Sequence, residues 1–307
     1  MIDDLESRIF VKRLKGIVFI VSGSMLWGAT GPLMEWLLEH TLLTVSFMLT
    51  IRLVVAGLVL LTYLLLTKQP ILSIWRQKIW GRQLLIFGMI GMLGVQYAFV
   101  AAINESNAVL ATLLQFLAPI FVVAYVSLRR KKWPPNYQIW GIIGTLGGLF
   151  LLLTNASFDD LLVSTKALLW GVAVGLAFAF YTLYPARLMK EWNVLLVVGW
   201  GMLIGGVVLG IVSRIWQSDE WNVFTNLQIT GLLLALIFFG TIAFVLFLSS
   251  MKYITPVEAS ILSSIEPLTA MVISVIVFST SLGVWQLVGV LVMLICVTWL
   301  SIAGDQA

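Results

Sequence analysis

The chain has 307 residues, of which 61% are hydrophobic and only 10% are charged, and its net charge is +4. Because about a quarter of the residues of a typical soluble domain are charged, this composition excludes a soluble globular fold and predicts a multi-pass membrane protein. The single cysteine, Cys296, and the single histidine, His40, exclude a disulfide framework and a zinc site. We expect no cofactor.

The amino-terminal segment, MIDDLESRIFVKRLKG, mixes acidic and basic residues and lacks a small-residue cleavage site before the first apolar run. We therefore expect no removable signal peptide. An α-helix needs about 20 apolar residues to cross the hydrocarbon core. The sequence predicts an all-α membrane protein with ten transmembrane helices, at residues 16–38, 44–66, 83–103, 107–127, 138–154, 166–187, 194–214, 228–250, 255–279 and 283–303.

Lysine and arginine residues are distributed unevenly between the two sets of loops. If the N-terminus lies inside the cell, 15 of the 18 lie in cytoplasmic segments, only Lys166 and Arg214 lie outside, and Arg52 falls within the second span. Cytoplasmic loops are enriched in these residues, so we expect a plasma or inner membrane protein with both termini in the cytoplasm. The positive net charge reflects this bias, and nothing else supports binding to nucleic acid.

The two halves of the chain share a pattern. The fourth span, NAVLATLLQFLAPIF, matches TPVEASILSSIEPLT in the ninth, which places Pro119 and Pro267 148 positions apart. The motifs QIWG at Gln138 and QLVG at Gln286 keep this offset, and LWG in the first span recurs in the sixth at an offset of 143. Because each half holds five helices, an odd number, the second half enters the membrane inverted, as in many secondary transporters. The predicted repeats are residues 16–154 and 166–303.

The ninth span places a glutamate beside a proline in the stretch SSIEPLTA. An ionisable group at membrane depth faces the bundle interior or a water-filled cavity, so we expect Glu266 to point inward. The alternative is a structural glutamate that pairs with a fixed polar neighbour. A helical wheel places Glu266 on one face with Ala259, Ser263, Ala270 and Ser274, opposite Val257, Ile261, Leu268, Val272 and Val275.

Pro119 and Pro267 occupy matching positions in the two halves. A proline has no backbone N–H, so Pro119 deprives the carbonyl of Gln115 of its helical partner, and Pro267 does the same to Ser263. Broken helices at matching places point to a central binding site. The alternative is that both prolines only kink their helices.

Arg52 is the other charge deep within a span. A buried cation costs a few kcal/mol unless it pairs or reaches the interface, and Arg52 could pair with Glu266, Glu35 or a substrate carboxylate, so structural and functional roles stay equally open. Other polar and aromatic side chains within the spans are candidates for the site, with interface anchoring as the alternative for the aromatic ones. They are Trp27, Gln96, Tyr97, Gln115, Trp170, Tyr181 and Tyr184.

The chain resembles the drug/metabolite transporter superfamily, and within it the ten-helix EamA-type branch. The resemblance rests on the order of LWGATGP, IRLVVAGLVLL, LATLLQFLAPIF, ASILSSIEPLTAMVIS and WQLVGVLVMLICV, and it covers nearly the whole chain. It implies two five-helix repeats around a central cavity and transport of small organic solutes without ATP. It also implies that five residues occupy signature positions: Trp27, Arg52, Pro119, Glu266 and Pro267. The fourth span has Ala118 where its repeat mate has Glu266, so any charge there is asymmetric.

The favoured function is a secondary transporter, with export as the favoured direction, of small organic solutes such as amino acids, metabolites or drugs. We expect Glu266 to carry a proton or to balance a cationic group, and the expected partners are a small-molecule substrate, protons and the lipid bilayer. Substrate-binding or coupling candidates are Glu266, Arg52, Trp27, Gln115, Ser263, Tyr97 and Tyr181, and the helix-break or gating candidates are Pro119 and Pro267.

Three alternatives stay open. The first is an uncoupled facilitator or importer of a small amine or metabolite. The second is an intramembrane enzyme, although the sequence contains no HExxH, no GxSxG, no Walker loop and no carboxylates paired at catalytic spacing, so we do not expect an enzyme. The third is an ion channel or membrane sensor, although no filter motif or soluble domain is evident.

Overall fold

The computed structural model describes residues 2–157, 163–254, 262–263, 265–279 and 281–304, and this part of the chain is helical with connecting turns. Eight segments are long and apolar enough to cross a membrane by their length and composition. We number the α-helices in chain order: α1 Ile2–His40, α2 Val45–Leu66, α3 Lys78–Ile86, α4 Leu93–Glu105, α5 Ala108–Gln115, α6 Ala118–Arg130, α7 Asn136–Thr154, α8 Thr165–Leu183, α9 Ala186–Glu191, α10 Val194–Ser213, α11 Leu227–Ser250, α12 Ile265–Phe278 and α13 Val284–Gly304.

The expectation of an all-helical, multi-pass membrane fold is confirmed. Eight of the predicted spans correspond to the eight long apolar segments. The tenth corresponds to α13, and the ninth to α12, which has 14 residues. Residues 255–261 and 264, which complete the ninth predicted span, lie outside the described residues. The count of ten membrane-crossing helices therefore stays a prediction.

Two of the predicted spans are interrupted. The fourth consists of α5 and α6, which are separated at Phe116 and Leu117. The side chain of Asn107 accepts a hydrogen bond from the N–H of Leu110 and caps the start of α5. The third consists of α3 and α4, joined by a π-helical turn over Phe87–Met92, which the sequence analysis did not anticipate. π-Helical turns often accompany functional sites.

The helices pack in pairs drawn from the two halves of the chain. α1 contacts α11 and α12, α2 contacts α10, α4 contacts α8, and α7 contacts α13. Glycines bring some pairs to backbone contact: a Cβ atom on Gly289 would lie 2.6 Å from the carbonyl oxygen of Gly148, and one on Gly57 would lie 2.9 Å from that of Gly199. These close approaches hold α7 against α13 and α2 against α10.

The loop between α10 and α11 is anchored to the start of α2. The carboxylate of Glu220 accepts hydrogen bonds from the backbone N–H of Thr44 at 2.6 Å and from the hydroxyl of Thr44 at 3.0 Å. Thr44 is the N-cap of α2. Glu220 therefore links the short 3₁₀-helical segment Asp219–Thr225 to the helix that carries Arg52.

Candidate functional site

A narrow cavity lies between α1, α2, α4 and α5. The space inside it is about enough for one water molecule, far below the roughly 300–1,000 Å³ of most ligand pockets. Any organic solute would therefore require the surrounding helices to separate. The lining residues are Trp27, Arg52, Val95, Gln96, Phe99 and Gln115.

Gln115 connects this cavity to Glu266. Its side-chain amide donates a hydrogen bond to Oε1 of Glu266 at 3.2 Å, and Glu266 is only 1% exposed. Gln115 is the last residue of α5, and Glu266 is the second residue of α12. The interrupted helix of the fourth predicted span thus meets the helix of the ninth through a hydrogen bond between buried side chains.

The two prolines lie at the helix starts that create this arrangement. Pro119 is the second residue of α6, directly after the break that follows Gln115. Pro267 is buried and is the third residue of α12. It cannot donate to the carbonyl of Ser263, and that carbonyl accepts instead from the N–H of Glu266 at 2.9 Å. The backbone group freed by Pro267 therefore has a local partner.

The predicted inward face of α12 is buried. Ser263, Glu266, Ala270 and Ser274 are all buried, whereas Leu268, Val272 and Val275 on the opposite face are exposed, Val272 to 54%. The helical-wheel prediction is confirmed for these seven positions; the remaining ones, Ala259, Val257 and Ile261, lie outside the described residues. α12 therefore directs its carboxylate away from the apolar surface that faces outward.

Arg52 is buried, and its contacts lie mainly with apolar side chains. Its Nη1 donates to Sδ of Met34 at 3.7 Å, and its Cζ lies 6.0 Å from the ring centroid of Phe244. Its Nη2 has no hydrogen-bond partner in the described part of the chain. Glu35, one partner considered from the sequence, instead accepts from the N–H of Ala108 at 2.8 Å. Among the described residues, no acidic side chain contacts the guanidinium.

A glycine of α11 provides the space that Arg52 occupies. A Cβ atom on Gly240 would lie within 2.5 Å of Nη2 and 3.1 Å from Cζ of Arg52. Because contacts below 3.0 Å are not tolerated, any larger residue at this position would displace the guanidinium. Gly240 therefore helps to set the position of the only charged side chain among the residues that line the cavity.

Trp27, like Arg52 and Gln115, is a predicted site residue that lines the cavity, and it is part of an aromatic cluster. Its ring centroid lies 4.4 Å from that of Phe244 and 5.3 Å from that of Phe247. Tyr181 stacks on Phe87 at 5.6 Å, and its buried hydroxyl has no partner among the described residues. Phe178 of α8 lies between the two, 6.2 Å from Trp27 and 6.0 Å from Tyr181 by ring centroids, so the cluster links α1 to α8 and α11.

Tyr97 packs edge-on against Trp170 at 5.7 Å and does not line this cavity, so its role in substrate binding stays a prediction. Its neighbour Gln96 lines the cavity. The Nε2 of Gln96 donates to Sδ of Met92 at 3.2 Å, and its Oε1 has no partner among the described residues. Gln96 was among the polar residues noted within the spans, and polarity in an apolar segment was the available signal.

Four other residues of the site are not distinguished in the sequence by polarity or charge. Val95 and Phe99 line the cavity one helical turn apart on α4, and Phe244 and Gly240 contact Arg52 from α11. Each is an ordinary residue within an apolar span. Sequence periodicity alone does not distinguish a cavity-facing phenylalanine from one that packs elsewhere in the core.

Comparison with known proteins identifies the family. The model of the EamA-like transporter family matches this chain twice, over residues 14–154 and 165–302. The uncharacterised inner membrane transporter YicL of Salmonella typhimurium is 34% identical over 293 residues, which cover 94% of this chain and 95% of that protein. The uncharacterised transporter YwfM of Bacillus subtilis is 24% identical over 288 residues, 93% of each chain.

A solved crystal structure has the same fold. It superposes with a TM-score of 0.63 at 14% sequence identity, over 96% of this chain and 99% of that one. The family match accounts for nearly the whole sequence, and the helical fold with its long apolar segments agrees with it. The chain is thus a multi-pass membrane protein that belongs to the EamA-like transporter family.

Proposed function

We propose that the protein is a secondary transporter that moves small organic solutes across the cell membrane, in the direction of export, by alternating access to the cavity beside Arg52. The observation that carries this proposal is the hydrogen bond between Gln115 and Glu266. It joins an interrupted helix of the first half to a proline-containing helix of the second, next to a cavity that contains a buried charge. Such a contact can form in one conformation and break in another.

The helix pairing supports two inverted repeats, residues 16–154 and 166–303. If the halves are equivalent, α8 corresponds to α1, α10 to α2, α11 to α4 and α13 to α7. Exchanging the halves then converts the α1–α11 contact into the α8–α4 contact. The same exchange leaves the α2–α10 and α7–α13 contacts unchanged. All four contacts are present. The double match of the family model agrees with this symmetry. Rocking of one repeat against the other would open the cavity alternately to each side.

Glu266 is the proposed coupling residue. An ionised carboxylate away from water is costly unless it is compensated, and its contact with Gln115 supplies one neutral hydrogen bond. Full compensation requires a proton or a cationic group of the solute. Glu266 therefore either carries a proton through the cycle or balances a charge on the cargo.

The proposed orientation has both termini in the cytoplasm. The lysine and arginine residues that cluster at one set of loop ends support this orientation. The name of the Salmonella relative, an inner membrane transporter, supports a location in the cell membrane.

Transport by the purified protein in liposomes tests the proposal. Labelled amino acids, amines, nucleosides and cationic drugs would be offered with and without a proton gradient, to the wild type, to Glu266→Gln and to the control Glu39→Gln, whose carboxylate is exposed. We expect the wild type and the control to move at least one class of solute, and Glu266→Gln to lose the dependence on pH. A Glu266→Gln variant that matches the wild type at every pH from 5 to 8 would contradict both roles of Glu266. Transport that ignores the gradient would identify a facilitator.

A further inference from the structure

We propose that the cavity binds the carboxylate of its solute on Arg52, so that the transported molecules are small organic monocarboxylates with an apolar body. This inference rests on the proposed function, because it assumes that the cavity beside Arg52 is the transport site. It assigns the chemical class of the cargo, which neither the fold nor the family establishes.

The first argument is the uncompensated charge of Arg52. The side chain is 3% exposed, and its polar and aromatic contacts with described residues are a thioether sulfur and a phenylalanine ring. A thioether is a weak acceptor, and no described residue accepts a hydrogen bond from Nη2. A buried charge without a partner is strongly unfavourable. The two carboxylates considered as partners from the sequence, Glu35 and Glu266, bond to other groups, so we take the acceptor to be one that arrives with a ligand.

The second argument is the direction in which the guanidinium lies. Arg52 is one of the six residues that line the cavity, so the ligand that fills this space meets the charge. A carboxylate accepts two parallel N–H bonds from a guanidinium, a geometry that adds both energy and orientation. The head of Arg52 packs against one face of α11, with its Cζ 6.0 Å from the ring centroid of Phe244 and its Nη2 beside the backbone of Gly240. This contact with α11 restricts the positions that the guanidinium can adopt.

The remaining walls determine the rest of the ligand. Trp27, Val95 and Phe99 present apolar surface, which suits an aliphatic or aromatic body. The amides of Gln96 and Gln115 add polar groups, and no described residue donates to Oε1 of Gln96. An amide side chain can present either its oxygen or its NH₂ group after rotation, so Gln96 can serve a second polar group on the ligand.

Charge and size favour one negative charge on a small molecule. Arg52 is the single charged residue among the six that line the cavity, so one anionic group is neutralised and a second would remain uncompensated. The space between the helices is about enough for one water molecule, so a ligand enters only as the helices separate, and a compact body requires the least separation. Phosphates and dicarboxylates, which carry more charge, fit this site less well.

Ligand-induced thermal stabilisation of the purified protein tests the inference. The probes are two isosteric pairs, butanoate with butanamide and 3-phenylpropanoate with 3-phenylpropanamide, at constant ionic strength. A ligand at ten times its Kd should raise the melting temperature of this 307-residue chain by about 2 °C. We expect this increase from a carboxylate and not from its amide. Arg52→Gln should abolish it, Arg52→Lys should retain a smaller increase, and the control Arg76→Gln, an exposed position, should behave as the wild type.

Three results would overturn the inference: no carboxylate stabilises the wild type, the amides stabilise it as well as the acids do, or Arg52→Gln keeps the full effect. Each is distinguishable from failure of the proposed function, because transport is measured separately in liposomes. Carboxylate binding without any transport would overturn the transporter proposal alone. Transport that is neither competed by carboxylates nor reduced in Arg52→Gln would overturn the carboxylate inference alone.

Discussion

Replacing Arg52 with methionine should make the ligand-free protein more stable. The arginine is buried and has no acidic partner in the described part of the chain, and methionine fills a similar length without a charge. An arginine within a membrane-spanning helix costs about 3 kcal/mol on insertion scales. Its contact with the ring of Phe244 at 6.0 Å returns about 1 kcal/mol. The difference predicts that Arg52→Met stabilises the empty protein by about 2 kcal/mol.

The assay is thermal unfolding of the purified protein, followed by intrinsic fluorescence in the absence of ligand. An unfolding entropy of about 2.1 cal/mol/K per residue over 307 residues converts about 2 kcal/mol into roughly 3 °C, so we expect an increase of about 3 °C in the melting temperature for Arg52→Met. Arg76→Met, at an exposed position, is the control and should change little. A melting temperature that falls for Arg52→Met would refute the reasoning, because it would show that the contacts of Arg52 hold α2 in place.

Three further substitutions test other parts of the account. Gly240→Ala places a methyl group against the guanidinium of Arg52 and should weaken carboxylate binding at least tenfold. The control Gly231→Ala, whose Cβ would meet no atom within 4 Å, should leave binding unchanged. Equal affinities of the two variants would contradict the position of the Arg52 guanidinium beside Gly240. Gly289→Ala should lower the free energy of unfolding by about 1–3 kcal/mol through overpacking, because its Cβ would lie 2.6 Å from a backbone oxygen of α7. The control Gly147→Ala, whose Cβ would have no neighbour within 4 Å, should leave the free energy of unfolding unchanged in the same denaturation experiment. Glu220→Gln weakens two hydrogen bonds at the start of α2 and should lower the free energy of unfolding by about 1 kcal/mol. We expect faster proteolysis of the loop between α10 and α11. Unchanged cleavage would show that the contact between Glu220 and Thr44 does not stabilise this loop.

Local sequence signals predicted the parts of the site that depend on one helix alone. The face of α12 that carries Glu266 followed from a period of 3.6 residues, since small residues and a carboxylate recur on one side. The interruption after Gln115 followed from Pro119, because a proline removes a backbone donor wherever it occurs. Both features are fixed within a few residues of chain.

The contacts between helices could not be predicted in the same way. Glu266 was expected to face inward, but its partner was open, and the structure places Gln115 there, 151 positions away in the chain. The surroundings of Arg52 depend on Phe244 and Gly240 of α11. In an all-apolar span these two residues look like any others, because lipid and protein interior are equally apolar. The π-helical turn Phe87–Met92 likewise carries no marker in its sequence.

Access to the cavity from the two sides of the membrane tests the central claim most directly. Cys296 is the only cysteine, so the Cys296→Ala variant provides a cysteine-free background. A single cysteine would then be introduced as Val95→Cys, at a position that lines the cavity. Ala102→Cys, at a buried position on the same helix, is the control. Labelling with a membrane-impermeant maleimide would be measured in right-side-out and inside-out vesicles. Alternating access predicts that Val95→Cys reacts from both sides, that a bound solute protects it, and that Ala102→Cys reacts from neither. Reaction from one side only, whatever the solute, would contradict transport through this cavity.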